Sequence, residues 1–120
     1  MRNDKDNLIV SKTFAFAVDI IDFAEELRKL HKFEMASQVF KSGTSIGANT
    51  KEAQNAESQA DFIHKFKIAA KEADETEFWL KLCTASKHFP NPSEKLFSEL
   101  DSIIKIISKI ISTSKNKKLI

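Results

Sequence analysis

The chain has 120 residues, 42% of them hydrophobic and 30% charged, with two Gly, two Pro and no Tyr. One ordinary domain fits that length and two stable cores do not. So few glycines and prolines exclude a turn-rich sandwich or barrel. The 19 basic and 17 acidic residues leave a net charge of +2, so bulk electrostatics demand no nucleic-acid partner. The single cysteine, Cys83, cannot form an internal disulfide and fits a reducing compartment. The opening MRNDKDN has no apolar signal core, and the longest apolar run, 103–111, is broken by Lys105, Ser108 and Lys109. A cytoplasmic protein with no membrane association is expected.

Four helical segments are predicted, at about residues 8–32, 34–57, 59–87 and 92–114, followed by a frayed tail at 115–120. In the first, Phe16, Ile20, Phe23, Leu27 and Leu30 recur at steps of four and three, the spacing of a bundle seam. A second apolar set, Phe14, Ala17, Val18, Ile21 and Ala24, falls on a different side of the same helix. It is either the edge of a wide core stripe or a subunit interface, since solvating so many apolar side chains is costly.

The second segment has a seam of Met35, Val39, Ser42, Ile46, Asn49 and Ala53, and it contains both glycines, Gly43 and Gly47, one turn apart. Each glycine costs about 1 kcal/mol against alanine inside a helix. Two on one face therefore imply a close approach by a neighbouring backbone, or else a kink. Ser58 and Asp61 resemble a capping box at the start of the third segment. Its seam is Phe62, Phe66, Ala69, Ala73, Thr76, Leu80 and Cys83, small in the middle, so the expected close crossing joins segments two and three.

His88-Phe89-Pro90-Asn91-Pro92 breaks the chain, with Asn91 the expected cap of the fourth helix and Pro92 at its first position. The fourth helix carries apolar residues from Leu96 to Ile111 over about half its circumference, more than a narrow seam needs. Short connections favour antiparallel neighbours. The fold class is all-α, an up-down-up-down antiparallel four-helix bundle occupying residues 1–120 as one domain. The surplus apolar surface of helices one and four points to self-association.

No chemistry of catalysis stands out. SGTSIGAN lacks the Lys-Ser/Thr of a phosphate-binding loop, and neither His-Glu-x-x-His, Cys-x-x-Cys nor Glu-x-x-His occurs. His31, His64 and His88 come from different helices or helix ends. No metal, cofactor or small-molecule substrate is expected, and the protein reads as a non-enzyme. One polar group is notable: Asn49 on the second seam, Glu52 beside it, and Glu72 and Glu75 on the third helix. A buried Asn must find partners and can set register in a helical assembly. Asn49 is expected to pair with a glutamate or with a backbone group at the glycine crossing. Alternatively the three glutamates lie on a solvated face beside Lys51, Lys71 and Lys81.

At these residues the sequence resembles a known family. Ser45-Ile46-Gly47-Ala48-Asn49-Thr50-Lys51-Glu52-Ala53 is similar to the S-I-x-x-N-x-x-E-A signature of four-helix bundle proteins associated with intervening sequences in bacterial 23S rRNA genes. Asp61-Phe62-Ile63, followed by Glu72-Ala73, Glu75-Thr76 and Trp79-Leu80, resembles that family's second block. The resemblance implies a ring, a homopentamer, and a protein of the kind labelled "S23 ribosomal protein" without an established place in the ribosome. It also implies kinship with accessory proteins of diversity-generating retroelements, pentameric barrels that bind a reverse transcriptase and nucleic acid through basic surfaces. The present chain departs from those in its modest charge. Its basic bias lies in Lys105, Lys109, Lys115, Lys117 and Lys118, with no acidic residue after Asp101. These lysines are the candidate RNA or DNA contacts, against the alternative of a solubilising tail.

Overall fold

In the computed structural model, which describes residues 7–118, the chain forms four α-helices and, among the described residues, no strand. They are α1 (Leu8–Lys29), α2 (Phe33–Ala53), α3 (Gln59–Ala85) and α4 (Glu94–Lys118). Each helix packs on the next, and α1 closes against α4. The pairings are antiparallel. Asn7 Nδ2 donates to Gln54 Oε1 at 2.8 Å, joining the start of α1 to the end of α2. Lys65 meets Glu52 at 2.9 Å across the α2–α3 turn. Gln59 Nε2 donates to the Ser114 carbonyl at 3.3 Å, joining the start of α3 to the far end of α4. Lys12–Glu99 and Lys95–Asp19, at 3.6 and 3.5 Å, tie α1 to α4. The result is an up-down-up-down rod of 51 × 23 × 21 Å.

The helix ends follow from local chemistry. α1 stops because His31 adopts φ 61°, the left-handed region that costs a residue with a Cβ. The Lys32 amide then donates to Leu27 and the His31 amide to Arg28, both at 2.9 Å, a Schellman closure with histidine where glycine is usual. α2 ends at Ala53, short of the expected residue 57, in a turn tightened by amides of Gln54, Asn55 and Ala56 each reaching three residues back. Ser58 caps α3 by accepting from the Asp61 amide at 3.0 Å, and Asp61 accepts in return from the Glu57 amide. α4 departs from expectation at both ends. Its cap is Ser93, which accepts from the Leu96 amide at 3.1 Å, so Pro92 lies before the helix rather than in its first turn. It continues to Lys118 instead of ending at 114, because no Gly or Pro in that stretch stops it.

The core lies along the bundle axis. On α3 the buried side chains Phe66, Ala69, Ala73, Thr76, Leu80 and Cys83 are those of the expected seam, with Ile63 added and Phe62 partly buried. Burial pushes the Cys83 thiol up to about 11, so it serves as a small packed hydrophobe. On α2 the buried polar positions are Ser42, as expected, and Thr50, whose hydroxyl donates to the Ile46 carbonyl at 2.9 Å, while Asn49 lies on the flank.

The two glycines face α1 rather than α3, Gly43 against a side chain and Gly47 against backbone. A Cβ on Gly43 would lie 2.7 Å from Ile20 Cγ2, and one on Gly47 would lie 3.2 Å from the Thr13 carbonyl oxygen. Ile20 and Thr13 both belong to α1, so the close approach is α1 on α2, and α2 runs through it as an unbroken helix. The surplus surface also differs from expectation. Ile104, Ile106, Ile110 and Ile111 of α4 are partly buried against the core, and α4 carries none of the strongly exposed large hydrophobics among the described residues.

Candidate functional site

The signature residues lie on α2 and α3, some in the core and some on the flanks. Ile46 is fully buried. Ser45, partly buried, donates its hydroxyl to the Lys41 carbonyl at 2.6 Å. Asn49 Nδ2 donates to the Ser45 carbonyl at 2.9 Å, within its own helix. Asn49 is thus bonded to a carbonyl one turn back in its own helix rather than to a glutamate or across the glycine crossing.

The carboxylates are likewise dispersed. Glu52 is exposed and paired with Lys65, whose ammonium it holds above its ordinary value through hydrogen bond and charge. Glu75 accepts from Trp79 Nε1 at 3.3 Å. Glu72 is partly buried; burial first, then Glu75, raise its carboxyl above the ordinary 4.5, with Lys71 and Lys41 opposing. Among the described residues no group of three or more His, Cys, Asp or Glu side chains is placed to hold a metal. A carboxyl whose folded value lies above its unfolded one costs stability when ionised, and that cost fades as pH falls through the folded value. Glu72→Gln is therefore expected to equal or exceed the parent in stability at neutral pH in urea unfolding. The difference should vanish below the ordinary 4.5. A variant less stable at neutral pH would instead reveal a specific ionic contact.

The candidate basic residues divide. Lys105 pairs with Asp101 at 3.0 Å. Lys109 and Lys115 are exposed, and the Lys115 ammonium beside Lys67 holds the Lys67 amine below its ordinary value. The side chains of Lys117 and Lys118 lie outside the described residues.

Among the described residues α1 carries more strongly exposed large hydrophobics than any other helix. Phe14, Val18 and Ile21 are 71%, 46% and 40% exposed on one side of α1. Phe14, Val10 and Ala17 line a groove of about 320 Å³ with Thr44, Gly47 and Ala48 of α2. Gly47 thus does two things: it admits the Thr13 backbone and leaves a hollow beside Phe14. Farther along, Arg28 lies 5.6 Å over the Phe40 ring. Phe78 and Leu82 form a smaller exposed strip on α3, which periodicity did not single out because the core seam there is narrow.

Fold and surface together define an all-helical bundle with one face left apolar, and among the described residues no helix is long and apolar enough to cross a membrane. The chain belongs to the 23S rRNA-intervening sequence protein family, whose profile matches residues 5–111. Among solved structures it is similar to a protein of unknown function from the S23 ribosomal protein family of Bacteroides thetaiotaomicron VPI-5482. The two are 38% identical, with a TM-score of 0.79 over 87% of this chain and 98% of that one. No curated protein matches the chain.

Proposed function

We infer that the protein is a non-enzymatic, self-assembling helical bundle of the cytoplasm, a homopentameric ring serving as scaffold or adaptor. The observation that carries this reading is the exposure of Phe14, Val18 and Ile21 beside the α1–α2 groove. Covering these side chains is worth roughly 1–2 kcal/mol each. The pentamer is what the family resemblance implies. Phe14→Glu together with Val18→Glu should reduce the particle to 13.6 kDa at micromolar concentration while leaving helical content intact. A double variant that keeps the parent's assembled mass would remove this face from the interface.

A second reading, an RNA- or DNA-binding accessory protein acting with a nucleic-acid enzyme, is favoured by the juxtaposition of Lys67 and Lys115. Two ammonium groups brought close together suit a phosphate. Affinity for structured RNA should then fall steeply with salt and drop on truncation after Ser114. Affinity that truncation leaves unchanged would reject the C-terminal lysines as the contact.

A further inference from the structure

The two hairpin turns at one end of the bundle enclose a cleft of about 670 Å³, within the range of about 300–1,000 Å³ usual for small-molecule sites. It brings together residues that the sequence left on separate helix ends. Trp79, Phe33 and Phe89 give it aromatic surface, and Met35 an adaptable apolar one. His31, fixed by its left-handed backbone, stacks on Phe33 with centroids 5.5 Å apart and rings 24° from parallel, so part of the wall is already ordered. Trp79 spends its indole N–H on Glu75 of its own helix, which leaves ring surface as its contribution to the cleft.

Aromatic walls alone would accept any flat ring. The polar lining is more selective. Lys32 forms no ion pair among the described residues, and it opens into the cleft together with His88. Gln38 and Glu34 offer an amide and a carboxylate, which match the hydrogen-bonding edge of a heteroaromatic ring. Stacking surface, edge-reading groups and an unpaired cation are the three requirements of a base joined to a phosphate.

We propose that this cleft binds a nucleotide, its base stacked on Trp79 and Phe89 and its phosphate met by Lys32. The assignment is independent of self-assembly and of the C-terminal lysines. Trp79 is the chain's one tryptophan, so its fluorescence reads the cleft directly. Adenosine and guanosine monophosphates should quench it saturably, with a Kd below about 1 mM. Lys32→Ala should weaken the monophosphates about tenfold while leaving adenosine unaffected and the far-UV spectrum unchanged. Trp79→Phe, followed by calorimetry, should weaken both ligands. Tighter quenching by a short single-stranded RNA would assign the nucleotide to a strand, and equal quenching to the free molecule. Absence of saturation up to about 1 mM, equal affinity in Lys32→Ala, or quenching as strong by an aromatic amino-acid amide would each overturn the proposal.

Discussion

Phe66→Ala is expected to remove about 3–5 kcal/mol of stability, the cost of truncating a fully buried aromatic side chain. Phe66 is 1% exposed and lies edge-on to Phe62 with centroids 5.0 Å apart. Its loss removes transfer energy, opens a cavity between helices and breaks that ring pair. Small domains hold only about 5–15 kcal/mol in total, so the midpoint of urea unfolding should fall by a large fraction at unchanged slope. Phe14→Ala makes the same chemical change at a site 71% exposed. In the isolated chain it should be nearly silent. A Phe66 variant that unfolds at the parent's midpoint would place the core elsewhere.

Gly43→Ala should destabilise even though alanine is the better helix former by about 1 kcal/mol. The added methyl group would meet Ile20 Cγ2 and Cγ1 at 2.7 and 2.8 Å. Both atoms are attached to a β-branched carbon with one strongly preferred rotamer in a helix, so they cannot swing aside. Ile20 is fully buried, and overpacking of this kind costs about 1–3 kcal/mol. The clash predicts coupling. Ile20→Ala alone should cost about 2–5 kcal/mol, yet the double variant should lose clearly less than the sum. Additive losses, or a stabilised Gly43→Ala, would show that α1 and α2 separate freely at this point.

What periodicity revealed, and what it could not, is physically instructive. The α3 seam was readable from Phe66 to Cys83 because apolar and small side chains recur there at helical spacing; at its start Ile63 is buried more deeply than the expected Phe62. On α2, Asn49 and Thr50 are adjacent and both polar. Only packing decides that the hydroxyl, which can bond its own helix, goes inside. The glycines announced a close approach, but spacing along one helix carries no information about which neighbour approaches. That is why the crossing lies on α1 and not α3. Asn91 is the expected cap of α4, but Ser93, two residues on, is the side chain that accepts the first free amide.

The buried Gln54, donating to Thr50 and accepting from Asn7, gave no warning, since a polar residue beside a turn normally reads as exposed. The cleft around Trp79 was hidden for a related reason. His31 ends a helix without the glycine that usually signals such a turn, and His88 follows more than fifty residues later. The second face of α1, by contrast, was visible as a surplus of apolar residues; the bundle leaves its Phe14, Val18 and Ile21 uncovered and takes its Ala24 into the core. The similar surplus on α4 is absorbed by the core, because its isoleucines lie on the margins of the stripe that faces α1 and α3.

The claim that this uncovered face exists to be covered by further copies of the chain is tested most directly by molar mass. Light scattering on the size-exclusion peak at micromolar concentration should give a single species near five times 13.6 kDa. A homogeneous 13.6 kDa monomer at that concentration would contradict it.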